Sequence, residues 1–140
     1  MTIAETAGTE RPRSIFRSIG AVLAGLIAIF VLSTATDAVL HATGVYPPPL
    51  EPMSGALFLL ATVYRIIYGV AGGFLAAWLA PGRPMAHALV LGGIGFVIAT
   101  VGAVAMWDHG PAWFHLAVIA IAIPCAWGGG RLFLAWRGSV

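Results

Sequence analysis

Residues 54–80 form an apolar segment that contains an arginine near its middle. A membrane-spanning helix needs about 20 predominantly apolar residues, a length that this segment reaches. A guanidinium at that depth costs at least about 2.5 kcal/mol unless a polar group or water compensates it. The other segments of the chain must therefore supply Arg65 with a polar partner.

The composition of the whole chain indicates a membrane protein. Of 140 residues, 60% are hydrophobic and 9% are charged, whereas a soluble domain has about 25% charged residues. The net charge of +2 arises from too few cations to follow a nucleic acid backbone. A single cysteine excludes an internal disulfide and a cysteine-based zinc site. We predict an integral membrane protein whose partner is the lipid bilayer and not a nucleic acid.

Hydropathy and turn residues predict an all-α fold, a transmembrane four-helix bundle with antiparallel, up-down-up-down topology. Residues 1–13 are polar and are expected to form a disordered cytoplasmic tail. A single transmembrane domain then covers residues 14–137. Its helices are predicted at about 15–42, 54–80, 84–107 and 111–136.

The first span has an alternative interpretation as a cleaved signal peptide. Basic residues precede its apolar run, and Ser33-Thr34-Ala35 resembles a cleavage site. The apolar run is long for a signal peptide, however, and residues 38–40 continue the helix past that site. The residues favour a retained span and leave the cleaved form as the alternative.

The placement of arginines predicts the orientation of the chain. The first and third connections contain no arginine. The arginines outside the second span flank the N-terminus, the second connection and the C-terminus: Arg11, Arg13, Arg17, Arg83, Arg131 and Arg137. The positive-inside rule then places both termini in the cytoplasm of a multi-pass protein in a bacterial-type inner (plasma) membrane. Tyr46 and Trp107 are expected at the outer interface.

Small residues at four-residue spacing predict which helices pack closely. Close contact between small residues drives helix association in lipid, where burial of apolar surface does not. Gly69 and Gly73 have this spacing in the second helix, and Gly95 and Ala99 have it in the third. We expect a tight antiparallel hairpin of these two helices, completed by the first and fourth. Pro124 is predicted to kink the fourth helix.

Several polar side chains gather toward the predicted outer side. A rise of 1.5 Å per residue places Arg65 about 3 Å outward of the bilayer midplane, and Asp37 and His115 about 13–14 Å outward. The predicted polar network or ligand pocket comprises Arg65, Asp37, His41, His115, Asp108, His109, Tyr64 and Tyr68.

The preferred interpretation of these residues is structural. Asp37 neutralises Arg65 and thereby fixes the bundle, while the histidines are interfacial polar groups. The protein would then be an accessory or interaction subunit that contacts another membrane protein or a second copy of itself. We assign no catalytic residue and no cofactor, and the sequence favours a protein that is not an enzyme.

Two functional alternatives remain. The first is a small transporter or ligand-binding protein, in which an outward-facing polar pocket takes an anion or a polar headgroup on Arg65. The second, which is weaker, is a metal or haem enzyme that uses His41, His109 and His115, because imidazole is a suitable ligand. No close ligand spacing supports this second alternative.

Overall fold

The structure, a computed structural model, describes residues 3–48 and 53–139, with side chains for residues 14–48 and 53–138. It contains four helices, α1 (Ile3–Ala42), α2 (Gly55–Leu79), α3 (Pro84–Ala105) and α4 (Ala112–Ser139). A short 3-10 helix, Trp107–His109, connects α3 to α4. The described residues contain no strand, and the prediction of an all-α four-helix bundle is confirmed.

All four helices are long and apolar enough to cross a membrane. The segments are Ser14–Ala42, Gly55–Leu79, Pro84–Ala105 and Ala112–Gly138. Large apolar side chains lie on the outside of the bundle, where Phe16 and Val104 are each 74% exposed. Most of the most buried positions are small, with Ala76, Ala77 and Ala88 at most 1% exposed, and Leu91 is the one large side chain buried to the same degree among the described residues. This inverted distribution suits a bundle that is surrounded by lipid and packed through small residues.

The first helix begins earlier than the sequence predicts. The backbone of α1 is helical from Ile3, so it extends through most of the segment that we expected to be a disordered tail. That expectation depended on polarity, on Pro12 and on the absence of apolar periodicity, but the alanines and glutamates of this segment favour a helix. The cytoplasmic location of residues 1–13 stays a prediction, and the first two residues lie outside the described ranges.

Local residues account for the helix boundaries in the middle of the chain. The Ser54 side chain caps α2 by accepting a hydrogen bond from the amide of Leu57 at 3.4 Å. Arg83 adopts a left-handed conformation, with a φ of 49°, and Pro84 then begins α3. The missing amide hydrogen of a proline costs nothing at the first position of a helix. A sharp turn between α2 and α3 results.

The pairing of helices differs from the predicted hairpin. α4, and not α3, is the most extensive partner of α2, and α4 also packs along α3. α1 packs mainly on α2, and α1 and α4 have almost no contact. The expectation of a tight α2–α3 hairpin is therefore wrong. The prediction was wrong because it did not consider the small residues of α4.

Glycines bring the backbones of α2 and α4 together. A Cβ atom at Gly73 would lie 2.5 Å from the carbonyl oxygen of Ala126, and one at Gly129 would lie 2.5 Å from the amide nitrogen of Phe74. Backbone atoms cannot move aside without moving the helix, so only glycine fits at these two positions. Gly69 faces Cys125 in the same interface.

The two small residues singled out on the third helix behave differently. A Cβ atom at Gly95 would approach only the Cβ atom of Ala122, at 3.9 Å. Ala99 is half-buried and lines open space between the helices. These positions therefore leave room in the bundle instead of closing it.

We predict that Gly129→Ala destabilises the bundle by about 1–3 kcal/mol, the usual cost of overpacking a close contact. The matched control is Gly93→Ala, because a Cβ atom at Gly93 meets nothing within 4 Å. Alanine favours the helix over glycine by up to about 1 kcal/mol, so the control should be neutral or stabilising. Thermal unfolding in detergent, followed by circular dichroism, measures both variants. Equal midpoints for the two variants would contradict the close α2–α4 approach.

Candidate ligand-binding site

A pocket of about 890 Å³ opens among the helices at the end that carries the α1–α2 and α3–α4 connections. Seven of the eight residues of the predicted polar network line it: Asp37, His41, Tyr64, Arg65, Asp108, His109 and His115. The eighth, Tyr68, lies outside its wall. The structure thus brings together side chains from three helices and one connection that the sequence associates only by depth.

An ion pair between α1 and α2 lies in the wall of this pocket. Arg65 donates a hydrogen bond from Nη2 to Oδ2 of Asp37 at 2.9 Å. The side chains are 27% and 32% exposed, respectively, so the pair borders open space instead of being sealed in the bundle. The guanidinium therefore receives its countercharge and remains accessible from the pocket.

Two tyrosines extend the ion pair into a network. Tyr64 donates its hydroxyl hydrogen to Oδ1 of Asp37 and accepts a hydrogen bond from Nη1 of Arg65 at 3.1 Å. The hydroxyl oxygen of Tyr46 lies 3.0 Å from the hydroxyl oxygen of Tyr64. Because Tyr64 gives its only hydroxyl hydrogen to Asp37, Tyr46 is the donor of that second bond. Nη1 also approaches the carbonyl oxygen of Ala61 at 3.4 Å.

The direct contact of Asp37 and Arg65 corrects the predicted depths, which separated them by about 10 Å. Those depths assumed that the helix centres are level. In the structure α2 extends beyond the end of α1. This follows from the contact of Tyr46, four residues after that end, with Tyr64 near the middle of α2. The chain turns back immediately after α1, where the amide of Tyr46 bonds to the carbonyl of Leu40 at 3.0 Å.

Tyr68 forms a separate contact between α1 and α2. Its hydroxyl lies 2.7 Å from Oγ1 of Thr36, and that oxygen donates to the carbonyl of Leu32. Tyr68 is consequently the donor to Thr36. This residue stabilises the packing of the two helices and contributes nothing to the pocket lining.

The histidines occupy different walls of the pocket. His115 on α4 is 6% exposed, and its ring stacks on Trp107 with centroids 5.2 Å apart. Its Nε2 atom has no hydrogen-bond partner among the described groups. His41 on α1 instead bonds through Nδ1 to the carbonyl of Asp37 at 2.7 Å. His109 is exposed in the 3-10 helix.

This arrangement gives no support to the metal or haem alternative. Within residues 3–48 and 53–139, no three histidine, cysteine, aspartate or glutamate side chains are grouped closely enough to hold a metal ion. His41, His109 and His115 share a pocket but do not converge on one point. The pocket can instead hold a polar molecule through separate hydrogen bonds.

Two residues of the pocket, and Thr36 outside it, have no part in the network predicted from the sequence. Tyr46 was assigned only to the interface, yet it is 5% exposed and bonds to Tyr64. Phe114 lies under the guanidinium of Arg65, with its ring centroid 6.0 Å from Cζ. Thr36 holds Tyr68. The signal for Thr36 was readable, because a polar residue beside Asp37 in an apolar span calls for a partner.

A second, apolar cavity of about 540 Å³ adjoins the pocket on the side of the bundle centre. The two cavities share Asp37, Arg65, Ile98, Ala99 and Val118 in their walls. The ion pair therefore stands at the boundary between a polar and an apolar space. We call the second cavity the α1/α4 groove, since α1 and α4 form two facing walls, and α3 forms a third wall that includes Gly95 and Ile98.

Comparison of the chain with protein-family models, with curated proteins and with solved structures gave no match. The geometry of the pocket and the chemistry of its residues therefore indicate the function.

We predict that Arg65 and Asp37 are energetically coupled. Arg65→Ala or Asp37→Ala alone should destabilise the protein by about 1–3 kcal/mol, because each leaves an unpaired charge in a membrane span. The double variant should cost no more than the worse single variant. Asp108→Ala is the control, since this exposed carboxylate has no ion pair among the described residues. Additive losses in a double-mutant cycle, measured by unfolding in detergent, would show that the two side chains do not interact.

Proposed function

We propose that this chain is a small multi-pass membrane protein that binds a polar ligand group in the pocket bordered by Arg65 and Asp37. The observation that carries the proposal is the convergence of an arginine, a buried histidine and a tyrosine network on a space of about 890 Å³. A space of that size is typical of ligand sites, which combine mainly apolar walls with a few polar groups. Ligand binding, alone or as a step of transport, is the activity that this geometry supports best.

The structural interpretation of the ion pair is compatible with this proposal. The pair joins α1 to α2 and so contributes to the bundle, as an accessory or interaction subunit would require. A purely structural pair would be best shielded from solvent, whereas about a quarter to a third of each side chain is open to the pocket. Exposure to a cavity favours a binding role in addition to a structural one.

We further propose that the pocket faces the outside of the cell and that both termini are cytoplasmic. The support is the distribution of arginines, which avoid the two connections beside the pocket. A ligand would then enter between the α1–α2 and α3–α4 connections from the external solution or from the outer leaflet.

We predict that a charged, membrane-impermeant thiol reagent added to intact cells modifies Ala99→Cys in a Cys125→Ala background. Ala99 lines the pocket beside the ion pair, so water and the reagent reach it from outside. Val97→Cys is the matched control, because Val97 lies on the same helix and lines neither cavity. Its side chain is 59% exposed on the surface of the bundle that faces lipid. Lipid would shield that thiol from a charged reagent.

Mass spectrometry of the labelled protein measures the two rates of modification. Ala99→Cys should react at least about tenfold faster, as expected if partition of a charged reagent into lipid is unfavourable. Equal, slow labelling of both thiols would show that no polar space reaches the ion pair, and the proposed ligand site would be wrong.

A further inference from the structure

The two cavities adjoin each other and differ in polarity. The pocket carries the polar side chains, and the α1/α4 groove adds apolar walls from Leu26, Phe30 and Ile121. Along α1 the groove extends from Asp37 to Leu26, which is about 16 Å at 1.5 Å per residue. A ligand that fills both would have a polar end and a long apolar end.

The groove opens sideways out of the bundle. α1 and α4 face each other across the groove with almost no direct contact, and α3 lines the wall between them with Gly95, Ile98 and Ala99. Ile27 and Phe30 in its wall are 59% and 70% exposed. In a membrane these residues face lipid chains, and the groove is therefore accessible from the bilayer as well as from the pocket.

The polar end of the two adjoining cavities offers N–H groups of Arg65 that are not used in its bonds to Asp37, Tyr64 and Ala61, together with a nitrogen atom of His115. Arg65 reaches the boundary of the two cavities, and the Nε2 atom of His115 is buried without a partner in the described structure. A buried polar atom without a partner is rare and is costly until a ligand or water satisfies it. As the neutral Nε2 tautomer, or when protonated, His115 donates a hydrogen bond from this atom.

The acids of the site are placed so that an anion is tolerated. Asp37 already receives hydrogen bonds from Arg65 and Tyr64, so its charge is compensated. Asp108 lies in the exposed 3-10 helix at the rim, where water screens it. The groups left for a ligand at depth are Arg65 and His115, which favour an acceptor-rich group such as a phosphate.

We propose that the ligand is a phospholipid drawn from the surrounding bilayer, with its phosphate between Arg65 and His115 and one acyl chain in the α1/α4 groove. This inference deepens the proposed function and depends on it. The lipid lies deeper than its neighbours in the bilayer, because its phosphate is held at the level of Arg65. The exposed side of the groove, at Ile27 and Phe30, admits the chain, and the pocket admits the headgroup.

Native mass spectrometry of the full chain in a nonionic detergent tests this assignment, with palmitoyl-oleoyl phosphatidylglycerol as the probe. Gly95→Leu should fill the groove and weaken lipid binding at least about tenfold. Gly93→Leu is the matched control, because Gly93 is on the same helix but lines neither cavity. It should bind like the unchanged protein. Thr34→Trp, at an exposed position in the opposite wall, fills the groove independently if Gly95→Leu does not fold.

Two further ligands separate the headgroup from the chain. Diacylglycerol with the same chains lacks the phosphate and should bind at least about tenfold more weakly. His115→Phe keeps a ring against Trp107 but removes Nε2. It should abolish most of the difference in affinity between the phospholipid and diacylglycerol. Glycerol phosphate should not compete at concentrations at which the phospholipid saturates the protein.

The outcomes distinguish this inference from the proposed function. Equal lipid binding by Gly95→Leu, Thr34→Trp and Gly93→Leu would overturn the placement of a chain in the groove. If glycerol phosphate alone bound as tightly as the lipid, the ligand would be a soluble phosphate, and only the lipid assignment would fall. Absence of binding by both probes, together with an unreactive Ala99→Cys, would overturn both.

Discussion

The bundle depends on how a guanidinium inside a membrane span is compensated. Arg65 finds a carboxylate on α1 and a phenol on its own helix, and Tyr46 extends the network to the connection. Because the partner is on another helix, the same interaction that satisfies Arg65 also fixes the position of α1 along α2. The ion pair therefore both neutralises Arg65 and determines how α1 packs on α2.

The two kinds of helix contact have different consequences. α2 and α4 meet through backbone atoms at Gly73 and Gly129, which gives a close interface. α1 is held to α2 partly through polar side chains, including Asp37 and Thr36, and scarcely reaches α4. The space that this leaves is the α1/α4 groove, with the ion pair at its polar end. Lipid provides no hydrophobic force that would close it.

Much of this organisation could be predicted from the sequence because it follows from simple rules. Hydropathy and prolines predict the four helices, and Arg65 in a span predicts a polar partner on another helix. The vertical register of the helices could not be predicted, since it depends on how the connection around Tyr46 folds back. The helix pairing was readable in part: Ala122, Ala126 and Gly130 have the same four-residue spacing that marks Gly69 and Gly73. The Nε2 atom of His115 lacks a partner among the described residues because of how the helices pack, which has no signal in the sequence.

The central claim is that Asp37 neutralises Arg65 within the membrane. Solid-state NMR in lipid bilayers tests it directly, through the dipolar coupling between guanidinium ¹⁵N and carboxylate ¹³C nuclei in protein labelled at arginine and aspartate. The 2.9 Å contact between Nη2 and Oδ2 predicts a strong coupling that disappears in Asp37→Asn and persists in Asp108→Asn. A coupling that is absent from the unchanged protein, or unaffected by Asp37→Asn, would contradict the account.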